Sequence, residues 1–582
     1  MALEGKGLVF ARPTSSIAGQ LEYMFKHALV RDVAYAGLPR ARRARAHAEV
    51  GAWIEELAGD RIDEFIELVA HHYHAAVAGA ESDLAWTDEG DDREALRRRA
   101  FEALCIAGAR ARRHYAVDKA LQLHQQALDL AEGTAERRTA LDELGTDHLS
   151  IYHADEALAA FQEARDLVEP GDLEERARLA ERIGRTAVRW GAFRSRPEPG
   201  GIEAIVQEGL DDATGEALRA SLLVIRADAD TFWYSVELPD PVPTEQRIGW
   251  GEEALAIAES VDDPALISRA ATVLGRLYQN QGSYRRSREM SLRQLRLVDR
   301  IASRDQKAEI ISEASGIVLG GGETERAYNL ARDAYELARD TSDHQLMHTS
   351  APLLRAGYRA GRWTEILPVV DVHLSAFAHE SDVACPEVQT GPSLGALLFA
   401  NLGEQDRAAE LASLVAGTRS FHITGLLAAY DVAVGDPGRA LGRLQGIQAR
   451  HGQASAVDVV LPRLIALVAL EDWTAVAELL PRAREIVEAD AIVGPTADQA
   501  EGLASMAIDR PRSLALLESA VAAFERIRAP FEAARARESL ARVAEPHEAR
   551  AALESAAGTY QELNARPHLA RATEALRDLP TG

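Results

Sequence analysis

The sequence predicts an all-α chain of stacked helix pairs, and three observations lead there. Alanine and leucine dominate, with arginine and glutamate between them, while aromatics make up only 5% of the 582 residues. Runs of Val, Ile and Thr long enough for a strand are rare. A turn signal followed by an Ala-rich helical pattern returns every thirty to forty residues.

The composition is helix-forming because Ala, Leu, Arg and Glu lose little rotamer freedom in a helix. Only four lysines occur (Lys6, Lys26, Lys119 and Lys307) against 61 arginines. The formal net charge is −26, unevenly placed: residues 1–50 carry +4, which leaves −30 on the remainder. An acidic body of that size repels nucleic acid and anionic membrane. Cys105 and Cys385 stand in apolar helical contexts, with no disulfide framework and no zinc spacing. There is no run of 18 apolar residues and no signal-peptide pattern, so the expectation is a cytoplasmic protein with no membrane partner.

The repeats rest on particular residues. In LGTDHLSIYHADEALAAFQEA, Leu144 and Gly145 are followed by Ala157, Phe161 and Ala164. Glycine lets the second helix of a pair approach the first, and small and bulky residues fill each other's gaps. Gly108, Ala120 and Ala127 repeat the frame 37 residues earlier. Leu274, Gly275, Tyr278, Gly282 and Tyr284 repeat it later. Turn-then-helix starts recur near Gly321, Ala360, Asn401, Val434 and Leu470, and two related units begin at Phe524 and Tyr560. This pattern resembles the tetratricopeptide repeat. It implies a helical-repeat solenoid (superhelix) of about twelve units, since one such unit cannot bury its own apolar face. The solenoid is expected over residues 101–582, with Pro-rich interruptions near 194–201 and 238–246. These flank Phe232, Trp233 and Tyr234 and read as a loop packed on the solenoid, or else as a binding loop.

Catalytic chemistry is not visible. A phosphate-binding loop ends in Gly-Lys-Ser/Thr, and none of the four lysines stands in that context. His71 and His74 of HHYH share a helix face but have no further ligand at a recognisable spacing. TDEGDD (87–92) lacks the alternating carboxylates of a calcium loop. No Gly-x-Ser-x-Gly elbow is present. The chain is therefore expected to be no enzyme, with no cofactor and no metal.

The N-terminal region carries a more specific likeness. LEYMFKHALVRDVAYAGLPRARRARAHAEVGAWIEE, with LVAHHYHAA after it, resembles the segment that follows the nucleotide-binding domain in large bacterial signal-transduction ATPases. These include LuxR-type regulators and ATPases linked to adenylate or guanylate cyclase domains. The matching residues are Phe25, His27, Ala28, Leu29, Arg31, Val33, Ala34, Tyr35, Arg42, Arg43, His47, His71, His72 and Tyr73. The resemblance implies a winged-helix remnant over 1–45 (a wing hairpin and a docking helix) and a helical linker over 46–100. The family's ATPase core, cyclase and helix-turn-helix are not found here, so the chain is expected to be the C-terminal portion of such a regulator. Val30, Val33, Ala34, Gly37 and Leu38 are expected to pack on the wing. Arg31, Arg40, Arg42, Arg43 and Arg45 would then face the solenoid or an ATPase module.

The expected function is a non-catalytic sensor or scaffold that binds a partner protein, peptide or small effector in a signalling or transcription-regulatory system. One alternative is a regulatory subunit of an ATP-dependent regulator or cyclase. A DNA-binding regulator is a further alternative, and nucleic acid is disfavoured as a partner. In a tetratricopeptide unit the first helix lines the concave face, which here implies Arg269, Thr272, Arg276, Gln279 and Asn280 as partner-binding residues. Arginine forks and side-chain amides suit a carboxylate or a peptide backbone.

Overall fold

Helix propensity and the small-against-large frame are both realised. The structure, a computed structural model, describes residues 2–15, 20–78, 85–86, 89–189, 193–195, 197–228, 242–380, 385–418, 420–445 and 454–579. The expected apolar stretch Phe232–Tyr234 and part of the acidic run 87–92 lie outside them. Two compact units are present: residues 1–150 with 156–169, and residues 151–155 with 170–582.

The first unit opens with an antiparallel hairpin, Val9–Ala11 paired with Tyr23–Phe25 in the register Val9↔Phe25. The helix Ala28–Ala36 follows and buries none of its residues, with Leu29 and Val33 exposed. The expected packing of this apolar face on the wing is therefore corrected: strands of three residues have no interior to receive it. The arginine run also belongs to a separate helix, Arg40–Ala58, because Gly37, Leu38 and Pro39 break the chain between the two. Beyond it, Ile62–Val77, Gly90–Arg113, Val117–Leu130 and Gly133–Ser150 stack around Tyr73, Leu104 and Ala107.

A side chain laid against a bare glycine sets the distance within several helix pairs, whereas a Cβ on Gly275 would meet nothing closer than 3.7 Å. A Cβ on Gly145 would stand 2.6 Å from the Phe161 ring, and one on Gly108 would stand 2.4 Å from the ring of His124. His124 thus takes, one pair earlier, the place of Phe161. Its Nδ1 shares a hydrogen bond with buried Asp147, which also accepts from Arg112 at 2.6 Å.

The second unit is a helical-repeat solenoid. Its turns carry a left-handed residue at Gly282, Gly322, Gly361, Gly403, Gly435, Glu471, Arg528 and Asn564. After each, the next N–H bonds back five residues, as in Ser283 N to Tyr278 O (2.7 Å), Arg362 N to Gly357 O (2.9 Å) and Ala565 N to Tyr560 O (2.8 Å). That satisfies the carbonyls left open at a helix end. The prolines of the interruptions start helices: Pro199 opens Pro199–Asp212, and Pro243 caps Thr244–Ser260.

The C-terminal hairpins pack back against the middle ones, turn against turn. Ala491 N donates to Gly320 O at 2.7 Å, and Arg359 makes two bonds of 2.8 Å to Asp490. Arg566 Nε donates to Leu402 O at 2.7 Å, and His568 meets Asn401 at 2.9 Å. Gly361 lies so close to Pro530 that a Cβ would stand 2.6 Å away. Beneath these turns Trp363, Phe531 and Tyr560 pack in one buried cluster.

Two glycine substitutions should separate contact from propensity. Gly145→Ala is expected to lower the apparent melting temperature, with a packing cost of about 1–3 kcal/mol. Gly558→Ala has open space around the new methyl and should leave melting unchanged or raise it by up to about 1 kcal/mol. Scanning fluorimetry reads both. Equal effects would show that the ring contact does not govern pair spacing.

Candidate functional site

Within the second unit, polar residues on alternate helices meet at a regular interval. Ser221 Oγ donates to Glu181 at 2.6 Å across 40 residues, and Thr272 Oγ1 to Glu313 at 3.2 Å across 41. Gln345 Nε2 reaches Asp305 O at 3.4 Å across 40, and Ser312 Oγ reaches His348 O at 3.1 Å across 36. These bonds join Leu173–Ala187, Glu216–Ala227, Pro264–Asn280, Arg304–Gly320 and Asp343–Arg359 along one face. The side chains there are arginines and carboxylates, where a solenoid core holds leucine and alanine.

The face has a basic and an acidic part. Glu181, Arg185 and Arg189 fall at successive i, i+4 positions, beside Arg182 and Arg269. Arg269 Nη1 lies 3.2 Å from Glu181. Burial raises the Glu181 carboxyl, but Arg185, Arg269 and the Ser221 hydroxyl outweigh it, so its pKa falls below the usual carboxylate range. Burial, then repulsion by Arg269, Arg189 and Arg182, pushes the Arg185 guanidinium down to about 10, against the pull of Glu181. Arg185, Arg269 and Arg182 thus act on Glu181, while Glu309 and Asp305 act on Arg189. One helical turn or two further along, Glu309 and Glu313 stand at i, i+4 near Arg276. Burial and the neighbouring Glu309 push the Glu313 carboxyl up to about 7, while Arg276 and Thr272 oppose the shift.

Arg276 keeps 46% of its side-chain surface open, and Asp228, Glu313 and Glu309 hold its guanidinium above the usual range although burial opposes this. Arg276 Nη2 is 2.7 Å from Asp228, whose own carboxyl burial holds above its usual range.

Three of the five residues expected from the repeat pattern, Arg269, Thr272 and Arg276, lie on this face, each against a carboxylate. Gln279 and Asn280 fall in the last turn of their helix, half-buried and exposed. Arg269 and Arg276 are part of the packing, because each neutralises a buried carboxylate, Glu181 and Asp228.

Of the expected docking residues, Arg31 bonds its neighbour Asp32, and Arg43 lies over the Tyr35 ring at 5.0 Å. Arg45 donates to Ala85 O at 2.8 Å and covers Trp86 at 5.1 Å, so it packs within the first unit. The histidines pair differently from the i, i+3 expectation. His47 and His72 join through their Nδ1 atoms at 2.8 Å, and Tyr35 holds His47 Nε2 at 2.8 Å. Burial, then His47 and His71, pushes His72 down to about 4.

Sequence reasoning missed Arg185, Glu309 and Glu313, whose role comes from helix stacking. It also missed a cluster of His344, His348 and Cys385. His344 and His348 are spaced i, i+4, a visible signal, but Cys385 comes from a later helix.

Two substitutions test this reading. Arg276→Glu sets a carboxylate against Asp228 and should lower the apparent melting temperature by several degrees, from roughly 2 kcal/mol or more, whereas exposed Asn280→Glu should not. For Glu313 the folded pKa lies above the unfolded one. Its contribution is then fully present below about pH 4.5 and is lost as pH rises through about 7. Glu313→Gln should melt above the wild type at pH 8 and with it at pH 4.5. Parallel curves at both pH values would contradict the raised carboxyl.

No known protein family matches the chain, and no curated protein matches its sequence. Among solved structures it is similar to the APC/C hetero-tetramer Cut9-Hcn1, at 12% identity over 91% of this chain and 94% of that one, with a TM-score of 0.47. A Rap protein complexed with competence and sporulation factor is 14% identical over 69% and 99%, with a TM-score of 0.34. A signal transduction ATPase with numerous domains and a tetratricopeptide repeat sensor, from Pyrococcus horikoshii, is 12% identical with a TM-score of 0.41. This chain covers 63% of that protein's length and matches it over 72% of its own. At such identities the likeness is one of helical-repeat fold.

Proposed function

We propose that the chain is a non-catalytic sensor scaffold whose polar face, at Arg185, binds an acidic peptide or a small carboxylate-bearing effector. The observation that carries this is the half-buried Arg185 guanidinium beside Glu181, repelled by Arg269, Arg189 and Arg182. An incoming anion relieves that repulsion, and arginine forks hold carboxylates in two-bond geometry. Glu309 and Glu313 at the other part of the face suit the amino end of a peptide, so orientation as well as charge is selected. Arg269 and Arg276 serve by holding Glu181 and Asp228, and Thr272 by fixing Glu313. The setting in a signalling or transcription-regulatory system rests on the resemblance of residues 7–80. Control of a separately encoded ATPase or cyclase module is the second reading. It draws on the convergence of the motif residues Tyr35, Arg43, His47 and His72 into one contact network.

Melting shifts with pooled tetrapeptides test the first reading, because a ligand that binds only the folded state raises the melting temperature with its concentration. Pools with two or more Asp or Glu should stabilise the protein, and Arg-rich pools should not. Arg185→Ala should abolish the shift, each variant being read against its own ligand-free melting temperature. Acidic pools without effect, or a shift that survives Arg185→Ala, would overturn the assignment.

A further inference from the structure

We propose that His344, His348 and Cys385 form a binding site for one divalent metal ion of the zinc class, with a fourth coordination position open. The inference is independent of peptide binding on the polar face. His344 and His348 stand one turn apart on Asp343–Arg359 and so share a face. Cys385 is the N-cap residue of Pro386–Leu402, which packs beside that helix. One ligand atom from each residue lies within 4.8 Å of the other two. His348 Nε2 is already 3.0 Å from Cys385 Sγ. Zinc takes nitrogen at about 2.0 Å and thiolate sulfur at about 2.3 Å in tetrahedral geometry, which places its ligands roughly 3.3–3.5 Å apart. Small side-chain shifts therefore close the set.

The surroundings resemble those that hold metal ligands in place. His344 Nδ1 pairs with Glu380 Oε2 at 2.8 Å, which engages that nitrogen and leaves Nε2 for a metal. The Tyr152 ring stacks on His344 at 4.0 Å and 19°, and its hydroxyl donates to Gln345 at 2.6 Å. His344 and Cys385 are buried, whereas His348 is partly open and gives a path for entry and for a fourth ligand. Cys385 has no disulfide partner. Two imidazoles and one thiolate are soft enough to favour zinc over magnesium or calcium. Binding would displace the thiol proton of Cys385, one proton leaving for each metal bound.

Cobalt(II) serves as the probe, added to the full chain after reduction and metal removal. One cobalt per chain should give a thiolate-to-cobalt charge-transfer band with the visible bands of a tetrahedral site, and one equivalent of zinc should abolish both. Cys385→Ser should lose the charge-transfer band, Cys105→Ser should keep it, and Glu380→Gln should weaken binding about tenfold. A wild-type chain with no such band, or a band that persists in Cys385→Ser, would overturn the site. Alkylation of the unmodified protein decides even where Cys385→Ser fails to fold. Zinc should protect Cys385, and equal labelling of Cys385 with and without zinc would leave only a histidine–thiol hydrogen bond.

Discussion

A side chain laid on a bare glycine Cα is the contact on which several of the helix pairs depend. Where Phe161 covers Gly145 and His124 covers Gly108, a methyl group would collide, so the two helices of a pair approach as closely as backbones allow. Close approach buries the alanines between them, Ala157 and Ala164 in one pair and Ala120 and Ala127 in another. It also makes an Ala-rich, aromatic-poor chain able to form a dense interior, because backbone proximity replaces side-chain volume. Left-handed turn residues keep the same spacing at the ends, returning the chain in two or three residues with its carbonyls satisfied.

With pair spacing set by apolar contact, the face joining successive pairs is free to be polar. Serine, threonine and glutamine reach across it at intervals of 36 to 41 residues, and arginines and carboxylates fill the space between them. Such charges cost desolvation, which the shifted values of Arg185, Asp228 and Glu313 record. Stability alone gives no reason to place them there, since apolar residues of similar volume would serve as well or better. A polar occupant of this face, as proposed above, would give them one.

How far this was legible in the sequence follows the range of each interaction. Gly145 with Phe161 lies within one helix pair, and the 3.6-residue period with turn residues exposes it. Arg269, Thr272 and Arg276 were legible as residues of the polar face because one helix face carries all three. Their buried partners Glu181 and Asp228 were not, since they come from other pairs whose registration depends on stacking. The hairpin Val9–Ala11 with Tyr23–Phe25 lies in the segment where the resemblance implied a two-stranded wing. The exposed helix after it was misjudged, because an apolar face shows that a contact is wanted, not where it is. Least visible was the return of the C-terminal hairpins. Gly361 against Pro530 and Arg359 against Asp490 join residues more than a hundred positions apart, and nothing periodic marks them.

The polar face and the His–Cys cluster share side chains. Arg189 lies over Tyr152 at 5.4 Å, Tyr152 stacks on His344 and bonds Gln345, and Gln345 holds the Asp305 carbonyl of the helix that bears Glu309 and Glu313. One helix, Asp343–Arg359, thus carries the two imidazoles together with Gln345 of the polar face. Energetic coupling needs a packed element that both ligands act on, and this helix is one by position. Thermodynamic linkage then limits what it can do: if an occupant of the polar face tightens metal binding by some factor, the metal must tighten that occupant by the same factor. The Tyr152 ring is the contact common to Arg189 and His344.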